Sequence, residues 1–241
     1  MPEILRRARH RASKVLPTQG LSAKASHVGE IMAALLGYRT YAALTQEYSD
    51  PSVRLVLEDA QVLVLNKPAG LARAQSVLDV LNNAQQQAVV TCCIDSLTEC
   101  ADRAVFVGLD DLYDSWLREA IAQAIYDAEE VIQSAHVFAW PQLPHETPIT
   151  VDLWTSSQEW KIEAIGTMSE MSDGDDDNEP VRLSPTATVA VRGGFFFQKA
   201  GRAGLVVQNC GGSLLRELDP QVLSSQLRSR GHAPVPRGGL H

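Results

Sequence analysis

The chain has 241 residues, 45% of them hydrophobic and 21% charged, and a net charge of −8. That balance supplies a core and excludes a wholly disordered chain. No apolar run approaches the roughly 18–20 residues that span a bilayer, and "MPEILRRARHRASKVLP" lacks the apolar core of a secretory leader, so the expected location is cytoplasmic.

The first element is basic. Ile4, Leu5, Ala8, Ala12 and Val15 fall on one face of a helix over residues 3–16, with arginines elsewhere and Pro17 and Gly20 beyond. Residues 1–54 hold eight basic side chains against four acidic ones, a net +4, and the total of −8 leaves −12 on the remainder. A basic head on an acidic body directs any anionic partner to the head. Arg6, Arg7, Arg9, Arg11, Lys14 and Arg39 are the candidate contacts, with a solvated helix face as the plainer alternative. A second helix runs through "HVGEIMAALLG", capped by Ser22 or Ser26 and closed by a left-handed Gly37. Thr40 caps a third, "YAALTQEY", and "SDPS" reads as a linker.

Three short helices within residues 1–50 are similar to a helix-turn-helix unit. More narrowly, "LSAKASHVGEIMA" followed by "LLGYRTYAAL" resembles the glyoxalase-related helical module. That module occurs in uncharacterised bacterial proteins, often carried on mobile elements. The resemblance covers residues 1–48 and implies a fold without glyoxalase chemistry, since no His and Glu ligand pattern accompanies it.

The middle section is read as mixed α/β. Val62–Leu65 is a short buried strand, Asn66 caps a helix reaching about Asn83, and the apolar run Ala88–Ile94 reads as a strand covered on both faces. Ala104–Val107 is a further short strand. A long amphipathic helix is expected over 110–135, capped by Asp110 or Asp111. After Pro148 the period becomes two: Ile149, Val151 and Leu153, then Trp160 and Ile162, then Val189, Val191, Phe195 and Phe197. This predicts an antiparallel meander closed by a helix starting at Asp219, with 231–241 a disordered tail. The expected class is α+β. Its parts are a helical module at 1–50, an α/β segment at 51–145, and an antiparallel sheet with a terminal helix at 146–230.

Motifs with chemical content are few. "LVLEDAQVLVLNKPAGL" resembles the NKPAG segment of pseudouridine synthases, which would make the chain an RNA-modifying enzyme. That chemistry needs an Arg-Leu-Asp nucleophile motif within a few dozen residues, and 72–150 contain none. The one Arg-x-Leu-Asp is "RELDP", whose Asp219 serves as a helix cap, and Asn66-Lys67-Pro68 is accounted for by a strand-to-helix turn. Cys92, Cys93, Cys100 and Cys210 contain no CxxC pair and read as free thiols. In "SDGDDDNEP" the alternating Asp173, Asp175 and Asp177 suggest calcium, but Asn178 and Ser184 stand where an EF-hand needs Gly and Glu. The six histidines show no metal-ligand spacing; His145 with Glu146, and His136, could in principle pair for acid–base work, but they read as surface or capping residues and no catalytic residue is assigned. "RGGFFFQKAGRAG" combines aromatic rings, glycines and cations, which fits nucleic acid, or simply an aromatic strand and a turn.

Taken together, the expectation is a non-enzymatic accessory protein without cofactor or metal. It binds nucleic acid or an acidic protein through its basic helices. The alternatives are the RNA-modifying enzyme and an oligomerising protein that uses a sheet edge or the aromatic strand.

Overall fold

The computed structural model describes residues 2–134, 136–148, 152–156, 158–172 and 184–215. Three helices come first: α1 (Glu3–Thr18), α2 (Ala25–Leu35) and α3 (Tyr41–Tyr48). Strand β1 (Val62–Val64) leads into α4 (Lys67–Val77) and α5 (Asn83–Cys100), then β2 (Ala104–Phe106). Helix α6 (Leu109–Leu112) passes through a π-helical turn, Tyr113–Leu117, into α7 (Arg118–Tyr126), followed by α8 (Glu129–Ile132). Strands β3 (Val137–Phe138), β4 (Glu159–Ser172), β5 (Ser184–Ala200) and β6 (Gly204–Leu215) complete the chain. The class is α+β.

One mixed six-stranded sheet, in the order β2-β1-β6-β5-β4-β3, joins all of this. β1 runs parallel to β2 and antiparallel to β6, where Val62 faces Leu205 and Leu63 faces Gly204. Alternation along the strands feeds two cores. Leu63, Leu65, Ala200 and Ala203 meet the layer α1–α5, which buries Leu5, Leu16, Ile31, Leu35, Leu44 and Leu97. Val62, Val64, Ile162, Phe195, Phe197 and Leu205 meet Leu112, Tyr113, Leu117, Ile121 and Ile125 on the opposite face. The first core therefore crosses the boundary drawn near residue 50, and the sheet crosses the one drawn near residue 145.

Several local expectations are met. Gly37, at φ +80°, closes α2, Thr40 Oγ1 accepts from the Ala43 amide at 3.1 Å, and Asn66 Oδ1 accepts from the Ala69 amide at 3.0 Å. Others are corrected. Ala88–Ile94 is helix, within α5. A reciprocal cap between Asn82 and Gln85 starts that helix. Gln86, Val89, Val90, Cys93 and Leu97 then continue its buried stripe at helical spacing. The helix begun at Asn66 stops at Val77, so two helices stand where one helix and a strand were expected. Lys24, not Ser22 or Ser26, is the cap position of α2, and it makes no side-chain bond. Gly108 is the cap position of α6, while Asp111 Oδ2 accepts from the Val107 amide at 2.7 Å. The long helix breaks after Tyr126 and resumes as α8. Leu153 lies in a turn rather than a strand; Ile149 and Val151 lie outside the described residues, as do Asp219 and the expected terminal helix.

Helix α7 lies directly against the sheet because two facing strand positions lack side chains. A Cβ on Gly212 would come within 2.3 Å of Ile125 Cα, and one on Gly193 within 2.7 Å of Ile125 Cγ1. Gly193 and Gly212 are cross-strand partners. Substituting Gly212→Val should lower stability in urea by about 1–3 kcal/mol or more through overpacking. An unchanged midpoint would contradict this contact.

Candidate functional site

The basic arm is only partly available. The outward stripe of α1 shows Arg6, Arg7, His10, Arg11 and Lys14, all exposed, opposite the buried Ile4, Leu5, Ala8, Ala12 and Leu16. Arg6 Nε donates to Glu3 Oε2 at 2.8 Å, and this exposed pair lowers the Glu3 pKa and raises that of Arg6. Arg11 is paired with Glu99 of α5. Arg9 turns inward: its Nη1 donates to the Tyr41 hydroxyl at 3.2 Å, and its guanidinium lies 5.6 Å from that ring. Arg7 and Lys14 have no ion pair among the described residues. Arg39 is exposed in the α2–α3 connection, where its carbonyl accepts from Arg73. Arg6, Arg7, Arg11 and Lys14 thus share one solvent face, while Arg9 works as packing and Arg39 stands off the helix.

A second polar assembly surrounds the β5–β6 turn. Lys199 occupies the core-facing phase of β5, after Phe195 and Phe197, and is only 6% exposed. Its Nζ donates to the Leu153 carbonyl at 3.1 Å and to the Arg202 carbonyl. Burial pushes its pKa down to about 7; Asp152 and Glu47 oppose that shift and Arg202 adds to it. A neutral amine has two N–H donors, and the two carbonyls take both. Nearby, the Tyr38 hydroxyl donates to Glu47 Oε1 at 2.7 Å and accepts from the Arg202 amide at 3.3 Å. Burial, reinforced by Glu47, raises the Tyr38 pKa, so the hydroxyl keeps its proton. The Arg202 guanidinium lies 5.5 Å from the Tyr38 ring. Trp154 Nε1 donates to the Val64 carbonyl at 3.1 Å. A cleft of about 740 Å³ opens beside this network, lined by Glu47, Asp50, Arg54, Trp154, Lys199 and Arg202 among others. Carboxylates and cations both line it, and the lysine head is held by main-chain carbonyls, so the arrangement acts as a clamp between the turn and the 152–156 loop.

The remaining motifs resolve into local structure. Asn66–Gly70 is a strand-to-helix turn, in which the Asn66 amide donates to the Leu35 carbonyl at 2.7 Å. Gly70 packs under Leu35, whose Cδ2 would lie 2.5 Å from an added Cβ. His136 Nδ1 is 2.5 Å from Glu170 Oε1. His145 Nδ1 meets Arg118 Nη1 at 2.9 Å rather than Glu146. The four cysteines are free thiols, with Cys92 and Cys93 buried in α5, where burial raises both pKa values. Among the described residues no three His, Cys, Asp or Glu side chains converge as metal ligands. Residues 173–180 of the acidic loop lie outside the described residues. Of "RGGFFF", Phe195 and Phe197 belong to the core and Phe196 faces solvent.

Sequence reasoning missed Lys199, Tyr38, Glu47 and Arg202 as a group. One signal was present: a lysine in phase with Phe195 and Phe197 is a charge at a core position of a strand. Comparisons with protein families, curated proteins and solved structures find nothing that matches this chain.

The buried amine makes a pH-dependence that can be measured. Lys199 loses its proton near pH 7 when folded and near its ordinary value of 10.5 when unfolded. Between those values the unfolded chain binds more protons. Stability therefore rises with pH across that window, and the cost of holding the ammonium is fully present below about 7. Relative to Lys199→Met, the wild type should gain on the order of a few kcal/mol between pH 6.5 and 9.5 in denaturant titrations. Parallel profiles for the two proteins would show that the ammonium is already well accommodated.

Proposed function

We propose that the chain is a non-enzymatic accessory protein that binds an anionic macromolecule, nucleic acid or acidic protein, through the outward stripe of α1. The observation that carries this reading is the convergence of Arg6, Arg7, Arg11 and Lys14 on one exposed helix face of a protein that is otherwise acidic. The Arg6–Glu3 and Arg11–Glu99 pairs are exposed, and water screens such pairs so that they hold weakly; a polyanion can therefore displace them. The reading includes a cytoplasmic setting and the resemblance of residues 1–48 to the glyoxalase-related module, which carries no glyoxalase chemistry.

Mobility of mixed RNA and DNA and of a polyglutamate chain tests this. With four phosphate contacts, binding to duplex DNA should weaken roughly a hundredfold from 50 to 200 mM salt. Arg7→Glu with Lys14→Glu should abolish it. Equal binding by that variant, or no polyanion binding at 50 mM salt, would remove the proposal.

One observation favours a second reading, self-association through a sheet edge. Among the described residues β6 pairs with β1 only at Gly204 and Leu205, which leaves the strand open beyond them. Side chains occupy two of the amides there: Gln61 Oε1 at Val207 (3.0 Å) and Glu130 Oε2 at Leu214 (3.2 Å). Edge pairing makes a dimer that Cys210→Pro would dissociate in light scattering, because proline cannot donate to a new ladder. A monomeric wild type would eliminate this reading.

A further inference from the structure

Among the described residues, the helices leave one face of the sheet partly open. Along β5, Val191, Phe195 and Phe197 enter the core and Gly193 packs under α7, while Arg192, Gly194 and Phe196 point the other way. Phe196 is 38% exposed on this central strand. Its cross-strand partners are Lys161 on β4 and Asn209 on β6. Two positions further along, Gly194 faces Glu163 on one side and Gly211 on the other. The next pair of partners around Arg192 is Ile165 and Ser213.

Lys161, Glu163, Arg192, Gly194, Phe196 and Asn209 are among the residues that line a shallow cleft of about 280 Å³. Its floor is the Gly194–Gly211 pair, and a Cβ on Gly211 would meet nothing within 4 Å. Glu163 leans over this floor: its Cγ would lie 3.1 Å from a Cβ on Gly194. Glu163 Oε1 is 3.9 Å from Lys161 Nζ, so the carboxylate is balanced, whereas Arg192 is exposed and has no ion pair or hydrogen bond among the described residues. An exposed ring, a side-chain-free floor and an uncompensated guanidinium follow one another along a single strand. Phe196 and Arg192, four residues apart, are separated by about 13 Å along the strand. Both side chains line the same cleft, with Gly194 between them along the strand.

We propose that this cleft binds one nucleotide unit, with the base stacked on Phe196, the sugar over Gly194 and Gly211, and the phosphate at Arg192. Asn209 flanks the ring with an amide able to both donate to and accept from a base edge. Glu163 is placed to accept from ribose hydroxyls, as an acidic side chain does in other nucleotide sites. The volume lies at the small end of ligand clefts, roughly 300–1,000 Å³, which suits a single unit. The same chemistry is offered by a free nucleotide and by one residue of a single-stranded RNA. The site lies away from α1 and does not depend on the reading proposed for that helix.

Calorimetric titration with AMP, adenosine and an eight-residue oligoadenylate tests the assignment, using the full chain and the variants Phe196→Ala, Phe196→Trp and Arg192→Ala. Both side chains are exposed, and circular dichroism checks that each variant keeps its fold. AMP should bind saturably. Phe196→Ala should weaken it about tenfold or more, and Phe196→Trp should retain it, because stacking needs a ring and not a phenylalanine. Arg192→Ala should erase the preference for AMP over adenosine. The Arg7→Glu, Lys14→Glu variant should still bind AMP, so failure at α1 and failure here are separable. Tighter binding of the oligoadenylate than of AMP assigns the cleft to single strands; equal affinity assigns it to free nucleotide. No saturable binding of either at about 5 mM, or variants at Phe196 and Arg192 that bind like the wild type, overturns the proposal.

Discussion

The turn between β5 and β6 is the joint on which the two halves of this molecule rest. Gly201 holds it at φ +64°, and an added Cβ there would come within 2.8 Å of the Tyr38 hydroxyl. Tyr38 reaches the turn from the end of α2, and its hydroxyl donates a hydrogen bond to Glu47, on α3. From the sheet side Lys199 binds the Arg202 carbonyl and, through Leu153, the loop that precedes β4. Trp154 extends the same loop to the β1 carbonyl at Val64. A short turn thus gathers the helical layer, the meander and the 152–156 loop through polar bonds that are mostly shielded from water. Such bonds contribute modestly when made and cost more when broken singly, because each leaves an unsatisfied partner. Shape follows from that joint: α1–α5 cover one face of the β1–β6 region, and α6–α8 cover the opposite face of the meander.

The same joint decides how the charge is displayed. Fixing the N-terminal helices against the sheet turns the apolar stripe of α1 inward and brings Arg9 onto Tyr41 and Arg11 beside Glu99. Arg9 is taken up in packing within the fold, whereas Arg6, Arg7, Arg11 and Lys14 share one exposed face of α1. The open part of the sheet has a different character. Its cations are fewer, its aromatic ring is presented singly, and glycines leave the surface flat. A polyanion and a nucleotide unit therefore call on different physics, long-range charge in one case and stacking over a bare floor in the other.

Features set by neighbouring residues were legible in the sequence. The caps at Thr40 and Asn66, the left-handed Gly37, the apolar face of α1 and the alternation through Trp160, Ile162, Phe195 and Phe197 all follow from short-range rules. Ala88–Ile94 misled because adjacent apolar residues look alike in a covered strand and a buried helix; the deciding cap, Asn82 with Gln85, lies upstream of the run. What covers the first three helices was not legible, because amphipathic helices do not declare what packs on them. Here the cover includes α5 and the β5–β6 turn, residues far away in the chain. Lys199 was visible only as an anomaly of phase, and nothing local linked it to Tyr38. The open face required knowing which side α7 covers, and that rests on the Gly193–Gly212 pair.

Native-state hydrogen exchange on the wild type and on Tyr38→Phe tests most directly whether the joint makes one cooperative body. If it does, amides of α1, α2 and α5 and amides of β5 and β6 open at one shared free energy in the wild type, and the substitution lowers both sets together. If the helices open well below the sheet, or if the substitution loosens the helices alone, the N-terminal layer is an independent module and the account is contradicted.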